Sequence, residues 1–160
     1  MKKIIVISTI FFLFFSCDSK SVNIFEIGLP NETIENKKFD INDYKNKSIL
    51  LNFWFPSCPP CVYELAILNE INKELDSTSI IGVQVLGLDT QDDGVKMFQN
   101  KKILYKSIVD NGDYLVQNFE ITVFPTTILF DNKGDEIKRW IGIIDKEKVK
   151  KEIASLQTNE

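Results

Sequence analysis

Residues 48–65 read SILLNFWFPSCPPCVYEL, and the division of that stretch decides the fold. Ser48 to Phe55 is a nearly continuous apolar and aromatic run of strand length. Such a run suits a central strand covered on both faces. After Pro56 and Ser57 the period changes. Cys61, Leu65, Leu68, Ile71 and Leu75 recur at spacings of 4, 3, 3 and 4, which is one face of a helix running from Pro59 to about Lys73. Pro59 and Pro60 lack N–H donors and suit the first helical turn. The two cysteines therefore straddle a strand-to-helix junction. A helix N-terminus carries unpaired N–H groups and roughly half a positive charge. A thiolate there is stabilised, so the pKa of Cys58 is expected below the free value of about 8.5. Two intervening residues on a helical turn bring the sulfurs within disulfide reach. Cys58 is expected as the exposed attacking thiol, and Cys61, one turn on and facing inward, as the resolving thiol.

Downstream, strand and helix periods alternate. Ser79–Leu88 (SIIGVQVLGL) reads as a second buried strand, Asp92–Asn100 as a short helix with Val95, Met97 and Phe98 inward, Lys106–Val109 as a short strand and Asp113–Phe119 as a short helix. Thr126–Phe130 and Glu136–Ile141 read as strands joined by a hairpin turn at Asp131–Gly134. Asp145 is expected to cap a last helix ending near Leu156. Upstream, residues 18–38 are polar and broken by Gly28 and Pro30, which reads as a short tether entering an N-terminal strand or hairpin. The order implies an α/β fold whose central mixed sheet has helices on both faces, because parallel strands need helical crossovers.

Composition removes many chemistries. The 160 residues fit one domain and contain no His. That excludes a Ser-His-Asp triad, a Cys-His protease pair, His-ligated zinc and bis-His haem. The three cysteines, Cys17, Cys58 and Cys61, are too few for a four-Cys zinc site or an ordinary cluster, so no metal site is expected. The net charge is −4, and the Lys residues are scattered apart from a short stretch near the end, which argues against nucleic acid as a partner.

The first residues read as a targeting signal. Lys2 and Lys3 precede a 12-residue run, Ile4–Phe15, that is apolar except for Ser8 and Thr9. A membrane span needs about 20 residues, so this run fits a secretory h-region. It ends at Ser16-Cys17, which resembles a bacterial lipoprotein signal whose Cys becomes the lipidated first residue. Phe14 stands where that pattern usually has Leu. Ordinary cleavage near Ser16, leaving Cys17 as a free thiol, and an uncleaved anchor are the other two readings. Loss of residues 1–16 leaves 17 basic against 23 acidic side chains, a net −6, so a lipid on Cys17 rather than surface charge has to attach the chain to a membrane.

The segment NFWFPSCPPCVYEL, Asn52 to Leu65, resembles the active-site segment of thioredoxin-like proteins. It is most similar to the TlpA/ResA branch, whose members are exported, membrane-tethered thiol–disulfide oxidoreductases. Phe39–Lys47 (FDINDYKNK) resembles that family's strand and loop before the core strand, and Val123–Asp131 (VFPTTILFD) the segment holding its cis-proline. The resemblance implies a thioredoxin-like domain over residues 24–156, after a signal peptide at 1–16 and a tether at 17–23, with a tail at 157–160. It implies a cis Phe124–Pro125 bond that leaves the Phe124 backbone free to pair with an extended substrate. Trp54, Pro59, Pro60, Phe124 and Pro125 are the candidate substrate-binding residues, with a core place the other reading of Trp54. It implies a disulfide reductase without metal, haem or nucleotide, whose only redox group is the Cys58–Cys61 pair. A membrane thiol carrier would supply electrons, and exported disulfide-containing proteins such as apocytochromes would receive them. Three departures stand out. Ser57 replaces the Trp usual before the first Cys, Asn52 replaces an acid that many thioredoxins bury beneath the second, and Ala66 replaces a helix-kinking Pro. The first two bear on redox potential and rate.

Each feature has a plainer reading. Cys58 and Cys61 suit a structural disulfide, but a four-residue loop closes little chain entropy and such a bridge stabilises weakly. Haem attachment needs His after the second Cys, and Val62 is there. Pro125 also suits the start of an edge strand. Glu64 matches an acid frequent in the family, yet reads as a solvated helix residue. Gly142 suits a turn or bulge, and Lys146, Lys148, Lys150 and Lys151 a solvated helix face. Two rival functions follow. One is peroxide reduction on the same fold, with Ser57 beside the reactive Cys and Arg139 as the single Arg. The other is a non-catalytic binding lipoprotein with a structural disulfide.

Overall fold

Ser48–Trp54 forms β1, the middle strand of the sheet, in the computed structural model, which describes residues 22–157. The expected signal peptide, Cys17 and residues 158–160 lie outside the described residues. The chain continues through α1 (Pro59–Glu74), β2 (Thr78–Val85), α2 (Gln91–Lys101), β3 (Lys106–Asp110), α3 (Tyr114–Asn118), β4 (Thr126–Phe130), β5 (Glu136–Ile141) and α4 (Lys146–Gln157). The strand order is β3-β2-β1-β4-β5. β1 pairs in parallel with β2, and β2 with β3, while β4 runs antiparallel to both β1 and β5.

Alternation along β1 divides the core. Ile49, Leu51 and Phe53 point to one face, where Phe119, Phe130 and the N-terminal Ile24, Ile27 and Phe39 cover them. Leu50 and Trp54 point to the other, against Leu65, Leu68 and Ile71 of α1, Phe98 of α2 and Val149 and Ile153 of α4. Every residue of β1 after Ser48 is buried, so the continuous apolar run is what a two-sided strand requires. Burial of each large apolar side chain contributes about 1.5–3 kcal/mol. The register places Phe53 opposite both Val83 and Thr126. The C-terminal end of β1 thus meets the end of β2 and the start of β4, and the loops that follow or precede those strands share one edge.

The structure differs from expectation at several points. Residues 22–38 form no strand of the sheet; they make two isolated bridges, Glu32 with Lys38 and Thr33 with Ile108. The chain reverses at Asn36, whose φ is 57°, too soon for a ladder to extend. Residues 39–47 hold a 3₁₀ turn at Ile41–Tyr44, capped by Asp40 accepting the Asn42 N–H at 2.9 Å. β2 stops at Val85 because the chain turns at Gly87, φ 56°. α3 begins at Tyr114 rather than Asp113, after a short 3₁₀ turn over Asn111–Asp113. The buried Asp110 carboxylate accepts the N–H groups of Leu115 and Val116 at 2.9 and 2.8 Å. α4 starts as expected, with Asp145 accepting the Lys148 N–H at 3.0 Å. Lys146 and Lys150 are not merely solvated: Lys146 bridges Glu70 and Glu74 of α1, and Lys150 also meets Glu74.

Candidate active site

At the end of β1 the chain passes Phe55, Pro56 and Ser57 and enters α1 at Cys58, its N-cap, with Pro59 and Pro60 in the first turn. Cys58 and Cys61 are joined by a disulfide, Cα to Cα 5.2 Å. The Cys61 N–H points at Cys58 Sγ at 3.3 Å. One of the unpaired donors of the helix start is therefore aimed at the first sulfur, which is the arrangement that favours negative charge there. Pro59 and Pro60 are exposed beside it. Cys58 is less open than expected. It retains 6% exposure against 0% for Cys61; Phe55 and Phe124 pack against the core cluster to which both cysteines belong, their rings 5.2 Å apart and edge-on.

Phe124–Pro125 is a cis peptide bond. Pro125 C=O accepts the Gly142 N–H at 2.8 Å, and Val123 C=O accepts the Thr126 hydroxyl at 2.7 Å. Pairing of β4 with both neighbours begins at Thr126. Phe124 thus stands two residues outside the ladder, at the sheet edge where β1 delivers the cysteines. Gly142, with φ 82°, supplies the turn that brings its N–H to Pro125.

Two expectations are corrected here. Trp54 is wholly buried. Its ring stacks on Phe98 at 5.1 Å and its Nε1–H donates to Ser107 Oγ at 3.1 Å. Strand alternation turns it under α2, so it has no surface to offer a substrate. Glu64 is not solvated; its exposure is 0%. Glu64 lies three residues past Cys61 on the same helical face, under the seam between α1, β1 and β4. Asn52 Nδ2 donates to Glu64 Oε2 at 2.8 Å and to Thr127 Oγ1 at 3.0 Å, and the Ile144 N–H donates to Glu64 Oε1 at 2.9 Å. Burial drives the Glu64 pKa from its ordinary 4.5 to about 7, against the downward pull of these hydrogen bonds. Asn52 therefore does not leave the site without an acid; it holds one supplied by α1. Burial, and secondarily the Glu64 charge, pushes the Tyr105 hydroxyl above its ordinary value.

One contact had no sequence signal. Asp89, just after β2, accepts both the Ser57 N–H and the Ser57 hydroxyl on Oδ2, at 3.0 and 2.7 Å. It ties the loop before Cys58 to the loop after β2 across 32 residues of chain. Arg139, the residue a peroxide-reducing site would need, is engaged elsewhere: Glu136 holds its Nε and Nη2 at 2.8 and 2.7 Å, and Phe119 C=O its Nη1 at 2.7 Å.

Known proteins are similar to this chain in sequence and in fold. The chain is 31% identical over 119 residues to the thiol-disulfide oxidoreductase ResA of Bacillus thuringiensis (strain Al Hakam), covering 72% of this chain and 67% of that one. It superposes on the crystal structure of StoA from Bacillus subtilis with a TM-score of 0.65 at 26% identity, over 75% of this chain and 91% of that one. The exposed lipoprotein thioredoxin Etrx1 of Streptococcus pneumoniae shares the fold, with a TM-score of 0.69 at 23% identity over 78% and 96% of the two chains. Among the described residues no helix is long and apolar enough to cross a membrane. The thioredoxin-like domain family matches residues 36–157, which span the whole sheet, the disulfide and the Pro125 loop, and the chain belongs to that family, with thiol–disulfide oxidoreductases among its homologues.

Proposed function

We propose that the protein is a thiol–disulfide oxidoreductase that reduces disulfides of exported proteins. The observation that carries this reading is the Cys58–Cys61 disulfide capping α1, with the Pro125 loop at the same sheet edge. In the reduced protein, Cys58 thiolate attacks one sulfur of a substrate disulfide. A Cys58–substrate disulfide forms, and the displaced substrate thiolate takes a proton from solvent. Cys61 then loses its proton and attacks Cys58 Sγ. This closes the bond seen in the structure and expels the second substrate thiolate. Two electrons pass from the protein dithiol to the substrate, and an external dithiol has to restore them. Glu64, three residues past Cys61 on the same helical face and raised to about 7 by burial, is assigned the role of accepting the Cys61 proton. The chemistry runs on the sulfurs alone, without metal, haem or nucleotide.

The finer assignments rest on the N-terminal pattern Lys2-Lys3, Ile4–Phe15 and Ser16-Cys17. Residues 1–16 are a cleaved signal, Cys17 carries lipid, and the domain works at a membrane of the bacterial envelope. A membrane thiol carrier is the electron donor, and apocytochromes are among the substrates. Equilibration in dithiothreitol or glutathione buffers tests the central claim. The Cys58–Cys61 pair is expected to cycle reversibly and the reduced protein to reduce insulin. A native disulfide that neither dithiothreitol nor thioredoxin opens would make the bridge structural.

A further inference from the structure

We propose, building on the exchange reading of Cys58 and Cys61, that the surface around the disulfide selects extended, apolar polypeptide segments that carry Lys or Arg beside the disulfide to be reduced. All loops at this sheet edge contribute: those after β1, β2 and β3, the one before β4 and the one after β5. With the starts of α1 and α2, the short α3 and the last residue of β5, they comprise residues 55–66, 86–95, 111–125 and 141–145. The chain has 19 Lys+Arg, and none falls in these four segments. Acids do fall there, and Asp92, Asp113, Glu120 and Asp145 are exposed. Asp89 is tied to the loop that leads into Cys58. Its Oδ2 is held by Ser57, the residue before Cys58, and its Oδ1 accepts no hydrogen bond among the described residues.

The bases that border these segments offset this charge only in part, since Arg139 also interacts with Glu120 and Lys96 with Asp93. Arg139 is taken up by Glu136 and the Phe119 carbonyl, Lys146 by Glu70 and Glu74, and Lys96 lies 4.0 Å from Asp93. Between the acids the surface is apolar. Leu88, beside Asp89, is fully exposed, and Tyr63, Val123, Ile141 and Ile143 are exposed as well. Ile141 and Ile143 flank Gly142, which is bonded to Pro125. An apolar rim of this kind accommodates side chains of an extended segment, and the surrounding negative potential raises the local concentration of a cationic one.

The test uses two synthetic peptide disulfides with the same apolar residues, one with Arg and one with Glu on both sides of each Cys. Rates with the reduced protein are divided by rates with dithiothreitol, which removes differences in intrinsic disulfide reactivity. The corrected kcat/KM is expected to favour the Arg peptide by about tenfold at low ionic strength and by less than about threefold in 0.5 M salt. The combined substitutions Asp89→Asn, Asp92→Asn and Glu120→Gln are expected to shrink the low-salt ratio to less than half. A corrected ratio near one in the native protein, or a ratio that neither salt nor the substitutions change, overturns the proposal. The salt arm stands even if the triple variant folds poorly. Failure to reduce either peptide would instead count against the exchange reading itself.

Discussion

Replacing Glu64 by Gln isolates the most unusual group in the molecule. The wild-type carboxyl is raised from 4.5 to about 7 by burial. Each tenfold change in a protonation constant is worth about 1.4 kcal/mol, so ionising Glu64 costs about 3 kcal/mol more in the folded protein than in the unfolded chain. The sign follows from the direction. The folded-state pKa lies above the unfolded one, so the favourable contribution is complete below about pH 4.5 and is lost as pH rises through about 7. Gln carries no such dependence, and the site can receive it. Gln at 64 can accept the Ile144 N–H with its oxygen, as Glu64 Oε1 does now. Asn52 Oδ1 is buried without a partner; rotating that amide lets Asn52 accept from the new NH₂ group and from the Thr127 hydroxyl. Urea unfolding of both oxidised proteins at pH 4 and pH 8.5 reads the difference, with other titrating groups common to both. The variant is expected to gain about 3 kcal/mol relative to wild type between the two pH values. That is a large share of the roughly 5–15 kcal/mol holding a typical domain together. A stability difference that stays constant from pH 4 to pH 8.5 would refute the argument, because it would mean that Glu64 titrates alike in the folded and unfolded chains.

The remaining predictions concern the sulfurs, the core and the N-terminus. Cys61→Ser is expected to accumulate mixed disulfides through Cys58, detected by mass spectrometry after substrate exposure, and Cys58→Ser to accumulate none; trapping only by Cys58→Ser reverses the roles. Gly94→Ala is expected to destabilise by about 1–3 kcal/mol in denaturant, because a Cβ there overlaps the side-chain amide of buried Gln84; an unchanged midpoint would show that Gln84 moves freely. Trp54→Ala is expected to cost about 3–5 kcal/mol, since it empties the space against Phe98 and removes the indole N–H donor to Ser107 Oγ; a surface-sized loss below about 0.5 kcal/mol would contradict its burial. Mass spectrometry of the native protein is expected to find an N-terminus at Cys17 with acyl chains, and an intact Met1 or a free Cys17 thiol removes the lipid anchor.

Much was legible in the chain without coordinates. The run Ser48–Phe55 announced the two-sided strand, the spacing from Cys61 to Ile71 its helix, and Asp131–Gly134 the hairpin. These signals are local: side-chain period and turn chemistry act over a few neighbouring residues. The Cys-x-x-Cys at the strand-to-helix junction was equally plain, because its placement at a helix start needs only the two adjoining periods. The same local rules failed where short segments met context. Residues 22–38 suggested a hairpin, but their bridges hold single pairs.

The character of the site was decided at longer range. The sequence by itself determined which residues carry the sulfurs, the order of strands and helices, and the end of the molecule where the chemistry sits. Only the tertiary structure decided that Glu64 is a buried acid near neutrality, that Trp54 is core and not rim, and that Asp89 grips Ser57. Glu64 meets Asn52 12 residues away and Ile144 80 residues away, and Asp89 meets Ser57 across 32. A helical position on the buried face can hold a Leu or a Glu equally well by period alone. What makes Glu tolerable at 64 is a set of donors delivered by other elements, since a buried carboxyl is stable only where its oxygens are hydrogen-bonded.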